Sequence, residues 1–416
     1  MKHPMALALA AVPACVGLAL SAGPTFAGTT ATKSTTFAFR TSGFGTREIG
    51  GQAPASSGTT AYQVIGCTNR SGKHRENDVG QAAVPGLGTV TDSRTKVWTT
   101  AKNGVVASHS RHSISQVVVA STGLGSLAID GITSTSTASH DSDGFHAVTS
   151  TRIGSLTFTP PTGPAQSFAA PTPDQPVTIP GLATVYAGQH VTQLSGNGAV
   201  ASAFALRVDI VPSGTSVQVA RSHAQLNAGL TGGIFGGHSA ATHVLSAAGG
   251  IAKGGPDPLT LMPCQGTYGK VREKRLSILD LGGQLIAHDA STRERAVQGD
   301  HGAHGYEQAH IGRLNLGSGQ LVVRDIVGKA TVIRTAHGVV RSAKGTQLGT
   351  VTANGQSQTF PKTGVLEIPG VAKLERGVVT RSRSGISVIG LRITLLDGSG
   401  AVIDLAEAKL HIRPIR

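Results

Sequence analysis

Short apolar runs recur along the chain, each four to nine residues long and each closed by Gly, Ser, Asn, Asp or Pro. SQVVVA, GSLAIDGI, GQLVVRDIV, KATVIR, LRVDIV and LRITLL are the clearest. Their β-branched content and punctuation predict strands. In the last of them Leu391, Ile393 and Leu395 fall on one side and Arg392 and Thr394 on the other, the alternation of a strand with one buried face. VTIPG and VLEIPG each set Pro-Gly behind a strand, which suits a turn that needs positive φ at glycine. No window of 15 residues carries a helical stripe, although LAEAKL near the C-terminus predicts a short helical turn. The pattern therefore predicts an all-β, sandwich-like protein, with a β-solenoid-like stack as the alternative it leaves open.

The pattern also repeats. Residues 61–76 read AYQVIGCTNRSGKHRE and residues 258–273 read PLTLMPCQGTYGKVRE. Cys67 falls on Cys264, Gly72-Lys73 on Gly269-Lys270 and Arg75-Glu76 on Arg272-Glu273, all 197 positions apart. Farther along, Leu127-Ala128-Ile129 matches Leu321-Val322-Val323, Ile179-Pro180-Gly181 matches Ile368-Pro369-Gly370, and Leu206-Arg207-Val208 matches Leu391-Arg392-Ile393. The offset shrinks steadily along the chain, as small deletions in a second copy produce. Two tandem duplicated β domains follow: 35–226 and 234–416, joined by a Gly-rich linker at 227–233. Residues 159–176, with six prolines, form a loop that the second copy shortens.

Ahead of the first copy, Lys2 and His3 precede an Ala/Leu/Val-rich run that ends at Thr25-Phe26-Ala27. That layout predicts a secretory signal peptide over 1–27, followed by a short tail at 28–34. It is the one long apolar run, so no transmembrane segment is expected after cleavage. Export leaves Cys67 and Cys264 in an oxidising setting, which suggests one disulfide. Each copy holds one of the two cysteines at the same internal position, so an intrachain bond must join the copies. Bonded Cα atoms lie about 4.4–6.8 Å apart, and equivalent positions come that close only beside a pseudo-twofold axis.

Charge adds a partner class. Lys and Arg number 36 against 22 Asp and Glu, a formal +14. The second copy carries most of the surplus. A basic exported protein is expected to associate with anionic cell-wall or capsule polymers by salt-sensitive attraction. Aromatics make up only 4% and Trp98 is the single tryptophan. Stacking platforms for single strands are thus scarce, and no nucleic-acid partner is expected.

The AFRTSGFGTREIGG stretch, SSGTTAYQVIGC, the VPGLGTV turn, a Thr/Ser-rich middle and LRITLLDGSGAVIDLAEAKL resemble the choice-of-anchor P proteins. Those are exported proteins of actinobacteria and their relatives, with a shared body and differing C-terminal attachment devices. The resemblance covers nearly all of the mature chain and carries over no catalytic residue. No attachment device follows Leu405, which speaks against a covalent anchor. The resemblance implies an envelope-associated or released protein of undefined role.

Candidate chemistry is thin. G-x-S-x-G, Walker and G-x-G-x-x-G patterns do not occur in usable context. Asp130 or Asp325 would serve a polysaccharide-active enzyme on a solenoid, the alternative function. In copy register, however, Asp130 faces Arg324 and Gly131 faces Asp325, an indifference that a catalytic acid would not survive. His109 and His112 on a strand point to opposite faces. His301, His304 and His310 would converge only in a loop, and Asp141-Ser142-Asp143-Gly144 is a fragment of a calcium loop. No metal or cofactor is expected. The shared G-K-x-R-E motif reads as a solvated turn with an Arg–Glu surface pair; Lys73, Arg75, Lys270 and Arg272 are the candidate anion-binding residues. The reading is an exported, non-catalytic structural or adhesive protein, secreted or surface-associated.

Overall fold

A strand with one buried face needs a second sheet to cover it, and the chain supplies four sheets. The structure is a computed structural model that describes residues 32–50, 59–84, 87–121, 123–245, 256–280, 285–300, 302–396 and 400–415. The expected signal peptide at 1–27 and most of the tail at 28–34 lie outside them. Strand Ser34–Gly50 begins inside that expected tail.

In the first half, one sheet runs in the order Val177–Ile179, Ala183–Ala187, Gly198–Ile210, Thr215–Asn227, Ser34–Gly50, Gln63–Arg70, and His190–Ser195 also pairs with Gly198–Ile210. The facing sheet runs His74–Val84, Gly88–Lys102, Val105–Ser121, Gly125–Asp141, Ser155–Thr159, Gln166–Phe168, and Gly144–Arg152 pairs beside Gly125–Asp141. The expected proline-rich loop at 159–176 contains the short strand Gln166–Phe168.

The second half repeats this order. Its first sheet is Val365–Ile368, Ala372–Ser382, Gly385–Leu395, Val402–Arg413, Ile234–Leu245, Asp257–Leu261. Its facing sheet is Arg272–Asp280, Leu285–Gly299, Gly302–Leu316, Leu321–Thr335, Val351–Ala353, Gln356–Gln358, with Gly338–Ser342 and Gln347–Leu348 alongside Leu321–Thr335. All described pairings are antiparallel, and none of the sheets closes on itself among the described residues. The protein is all-β, with two-layer sandwiches rather than a solenoid.

The packing follows from alternation interrupted at one place per strand. In Gly125–Asp141, Leu127 and Ile129 point inward, then Ile132, Ser134, Ser136 and Ala138. Gly131, at φ 62°, marks the slip; it lies opposite Ser115 with the pairing register unchanged on either side, so the strand kinks without an inserted residue. The second half has the same slip in Leu321–Thr335: Leu321 and Val323 face in, then Ile326, Ala330 and Val332, and Asp325 sits at φ 53°. The register match of Gly131 with Asp325 is thus a shared kink, where Gly and Asp both tolerate a left-handed backbone.

Each core is split by a polar seam. The larger first-half cluster centres on Val117, Leu127, Ile129, Leu156, Leu206 and Val219. A smaller one gathers Phe39, Ala199, Ala224 and Leu226. Buried between the same sheets are Thr41, Thr95, Ser110 and His112. The second half has clusters around Leu314, Leu374 and Leu405 and around Phe235, Val332 and Leu410. Its seam holds Ser239, Thr260, Thr292, Glu294 and Glu307.

LAEAKL forms no helical turn. It lies within strand Val402–Arg413, between Ile234–Leu245 and Gly385–Leu395. Two neighbouring strands supply hydrogen bonds on both edges, and Leu405, Ala408, Leu410 and Ile412 are buried by the alternation. Tertiary pairing outweighs the helix propensity of Leu, Ala, Glu and Lys. The expected linker at 227–233 is held rather than free: Gln298 accepts from the backbone N–H of Thr231 and Gly232, and Arg334 donates to the Gly232 carbonyl. The described residues belong to one compact unit, Thr32–Arg416.

Candidate functional site

The junction between the halves is built on the cysteines. Cys67 lies in strand Gln63–Arg70, and Cys264 follows strand Asp257–Leu261. They are bonded, with Cα atoms 5.3 Å apart. Around them pack Ala38 and Ile234, with Leu230 and Ile415 partly buried against the group. Ala38 pairs with Asn227 and Ile234 with Arg413, the corresponding places in the two halves. Equivalent residues therefore meet one another here, as a pseudo-twofold relation requires.

The four expected anion-binding residues fall near this junction but in different states. Gly72 (φ 73°) and Gly269 (φ 76°) make the turns that the shared motif encodes. Behind them, Lys73 is half-buried and Lys270 exposed. Arg75 donates to the Val64 carbonyl at 3.0 Å. Arg272 stands 3.0 Å from a Glu294 oxygen, within ion-pair distance but without hydrogen-bond alignment. The expected Arg–Glu pair inside the motif does not form, because neighbours on a strand face opposite ways. Glu76 instead pairs with Arg94 and Lys96, and Glu273 with Arg275 and Arg293.

These cross-strand pairs reveal an asymmetry. Around the first-half edge strand, Glu76 and Asp78 pair with Arg94 and Lys96, while Lys73 and Arg75 enter no ion pair among the described residues. Around its counterpart, Lys270, Arg272, Lys274, Arg275 and Arg293 are exposed, with Arg295 half-buried beside them; Glu273 is the one exposed carboxylate among them. Lys274, Arg275, Arg293 and Arg295 were not singled out from the sequence. The signal was the charge density of REKR and TRER, which only the strand pairing brings into one patch.

Sequence reasoning also missed a buried acid pair. Glu294 and Glu307 are directly opposite on neighbouring strands and fully buried. Ser239 donates to Glu307 at 2.8 Å. Burial, then the like charge of Glu294, pushes the Glu307 carboxyl well up; burial also raises Glu294, against the pull of Arg272. Arg40 of the first half lies close enough to feel both carboxyls, so this acid pair reaches across the junction. The corresponding first-half strands, Gly88–Lys102 and Val105–Ser121, place Val97 opposite Ser110.

Histidines serve structure. His112 bonds Thr95 at 2.7 Å and Ser93 at 3.3 Å inside the first core, and burial lowers it to about 3. His109, on the other face, stacks on Trp98 and bonds Thr100 and Thr137. His304 and His310 lie on one straight strand, beside Arg295 and Asp325 respectively; His301 lies outside the described residues. Asp141 caps its own hairpin, accepting from Asp143 N–H and from His146. Asp130 accepts from Gln116 and Ser155. On the outer face of the second half, Glu407 bridges His238 and His243. Burial would raise its carboxyl, but the two imidazole hydrogen bonds outweigh that and hold it far down. Among the described residues no group of three or more His, Cys, Asp or Glu is placed to hold a metal ion, and no helix is long and apolar enough to cross a membrane.

No family model and no curated protein matches the chain. Among solved structures it is similar to the siderophore receptor PirA from Pseudomonas aeruginosa, at 9% identity over 91% of this chain and 80% of that one, with a TM-score of 0.13. A likeness at that score carries no argument about fold or function.

Proposed function

We propose that the protein is an exported, non-catalytic element of the cell envelope, structural or adhesive in role, that holds anionic polymers through its basic second half. The resemblance to the choice-of-anchor P proteins supports the envelope setting, and the bonded cysteines suit an oxidising compartment. The observation that carries the reading is the cation patch around Arg272–Asp280, where six basic side chains stand against one exposed carboxylate, while the first-half counterpart sets Lys73, Arg75, Arg94 and Lys96 against Glu76 and Asp78. Long flexible cations at an edge strand also discourage unwanted strand pairing, and the same cations offer a polyanion several contacts at once.

The test is retention of the full protein on immobilised acidic polysaccharide under a salt gradient. Retention is expected at low salt and loss as the Debye length shrinks. A triple variant K270Q/R275Q/R293Q should bind about tenfold more weakly, three exposed charges at roughly 0.5 kcal/mol each. Equal retention of the variant, or retention indifferent to salt, would remove the basis of this reading.

A further inference from the structure

The outer face of the second half carries a row that its first-half counterpart avoids. His288, Arg313 and Arg324 are directly opposite one another on three adjacent strands. Like charges in that position are destabilising. Arg313 spends its Nε on Asn315, and Arg324 makes no ion pair or side-chain hydrogen bond among the described residues. The corresponding first-half row is Thr91, Gln116 and Asp130. There Gln116 donates to Asp130 at 2.9 Å and Ser155 donates to its other oxygen, so the row satisfies itself.

Beside the cationic row the sheet is hollow. Asp289 (φ 55°) and Asp325 (φ 53°) take a left-handed backbone on either side of Gly312. A Cβ at Gly312 would lie 3.0 Å from the Asp289 Cβ, and the first half has Ser115 at this place between its own left-handed residues, Asp92 and Gly131. The missing side chain leaves a shallow concavity of about 520 Å³ with His310 on its wall, inside the span of about 300–1,000 Å³ typical of ligand clefts. Two arginines thus stand next to two carboxylates across a floor of bare backbone.

From this geometry we infer that the concavity is a binding subsite for a hydroxylated anion: a sugar unit bearing a carboxylate or a phosphate. The guanidinium groups of Arg313 and Arg324 take the anionic group by paired N–H donors. The carboxylates of Asp289 and Asp325 accept from ring hydroxyls, which a simple inorganic anion lacks. The inference deepens the polyanion reading and rests on it: the edge patch supplies general attraction, and this subsite selects the sugar unit.

The experiment is a calorimetric titration of the full, disulfide-intact protein with a short glucuronic-acid oligomer, with glucose phosphate and with a neutral oligosaccharide of equal length. Binding of the carboxylated or the phosphorylated sugar, with the neutral one silent, is the expected result, and the stronger arm identifies the source. Arg324→Gln, on an exposed side chain, should weaken binding at least tenfold with an unchanged melting temperature. Gly312→Ala should do the same by filling the floor; if it unfolds the sheet, Asp325→Asn replaces it, since Asn accepts the left-handed backbone. Equal binding by wild type and R324Q, equal binding of the neutral sugar, or no binding in any arm overturns the inference. Short-sugar binding that R324Q leaves unchanged, with retention on polysaccharide intact, sinks the subsite alone, whereas absent retention with short-sugar binding intact sinks the polymer reading alone.

Discussion

At the residue scale, the second half's acid pair sets the pH behaviour. Strand phase made it visible in principle: Leu285 and Ala287, then Ala290, Thr292 and Ala296, are the inward positions of one strand, and Glu294 falls on the same face after the left-handed kink at Asp289. Glutamate is so seldom fully buried that alternation by itself gives way to the expectation of an exposed charge. The carboxyls have folded pKa values raised above the ordinary 4.5. Their contribution to stability is complete below that value and is lost as pH rises through the raised one. His112 and His223 are lowered by burial to about 3. Their contribution is complete above about 6.5 and lost as pH falls. Glu307→Gln keeps the side chain's shape and removes the like charge opposite Glu294, so at pH 8 it should be more stable than wild type by about 1–3 kcal/mol. The gap should close towards pH 5, while the acid limb set by the histidines stays unchanged. Thermal melts across pH 4–9 check this; a constant offset between the two proteins contradicts it.

At the scale of the element, the strands were legible and their left-handed kinks were not. Alternation places Leu391, Ile393 and Leu395 on one side, and two of them, Leu391 and Ile393, are fully buried. The two Ile-Pro-Gly turns put Gly181 at φ 75° and Gly370 at φ 70°. LAEAKL misled because propensity is local and its strand identity comes from neighbours far away in the chain. These kinks carry a further cost that sequence hides. Asp92, exposed at φ 49°, occupies the same kink as Asp289 in the other half. A left-handed backbone costs an ordinary L-residue about 1–2 kcal/mol, partly offset in glycine by chain entropy. Asp92→Gly should raise stability by about 0.5–1 kcal/mol in chemical denaturation. A loss of stability would mean that the Asp side chain supports the kink.

For the whole molecule, the duplication read from Cys67 and Cys264 reappears as one strand order used twice, with the two cysteines bonded where the halves meet. The spacing of repeats set only the expected pairing of the two cysteines. It could not show how the halves have diverged, because charge balance depends on which strands lie side by side. Glu76 with Arg94 in one half and the Arg275–Glu273–Arg293 group in the other are settled only by register. The bond closes a 197-residue separation. On chain entropy it stabilises by up to about 5 kcal/mol, and removal of a native bond typically costs about 2–5 kcal/mol. C67A/C264A should lose stability within that span, read from urea unfolding midpoints, while each sandwich keeps its own buried seam.

The most direct check of a doubled sandwich clasped at equivalent points is peptide mapping of the monomeric protein, digested without reduction after free thiols have been blocked. A single cross-linked species joining the Cys67 peptide to the Cys264 peptide, split by reductant, is the expected result. Blocked thiols at both positions, or either cysteine linked to a second chain, would contradict it.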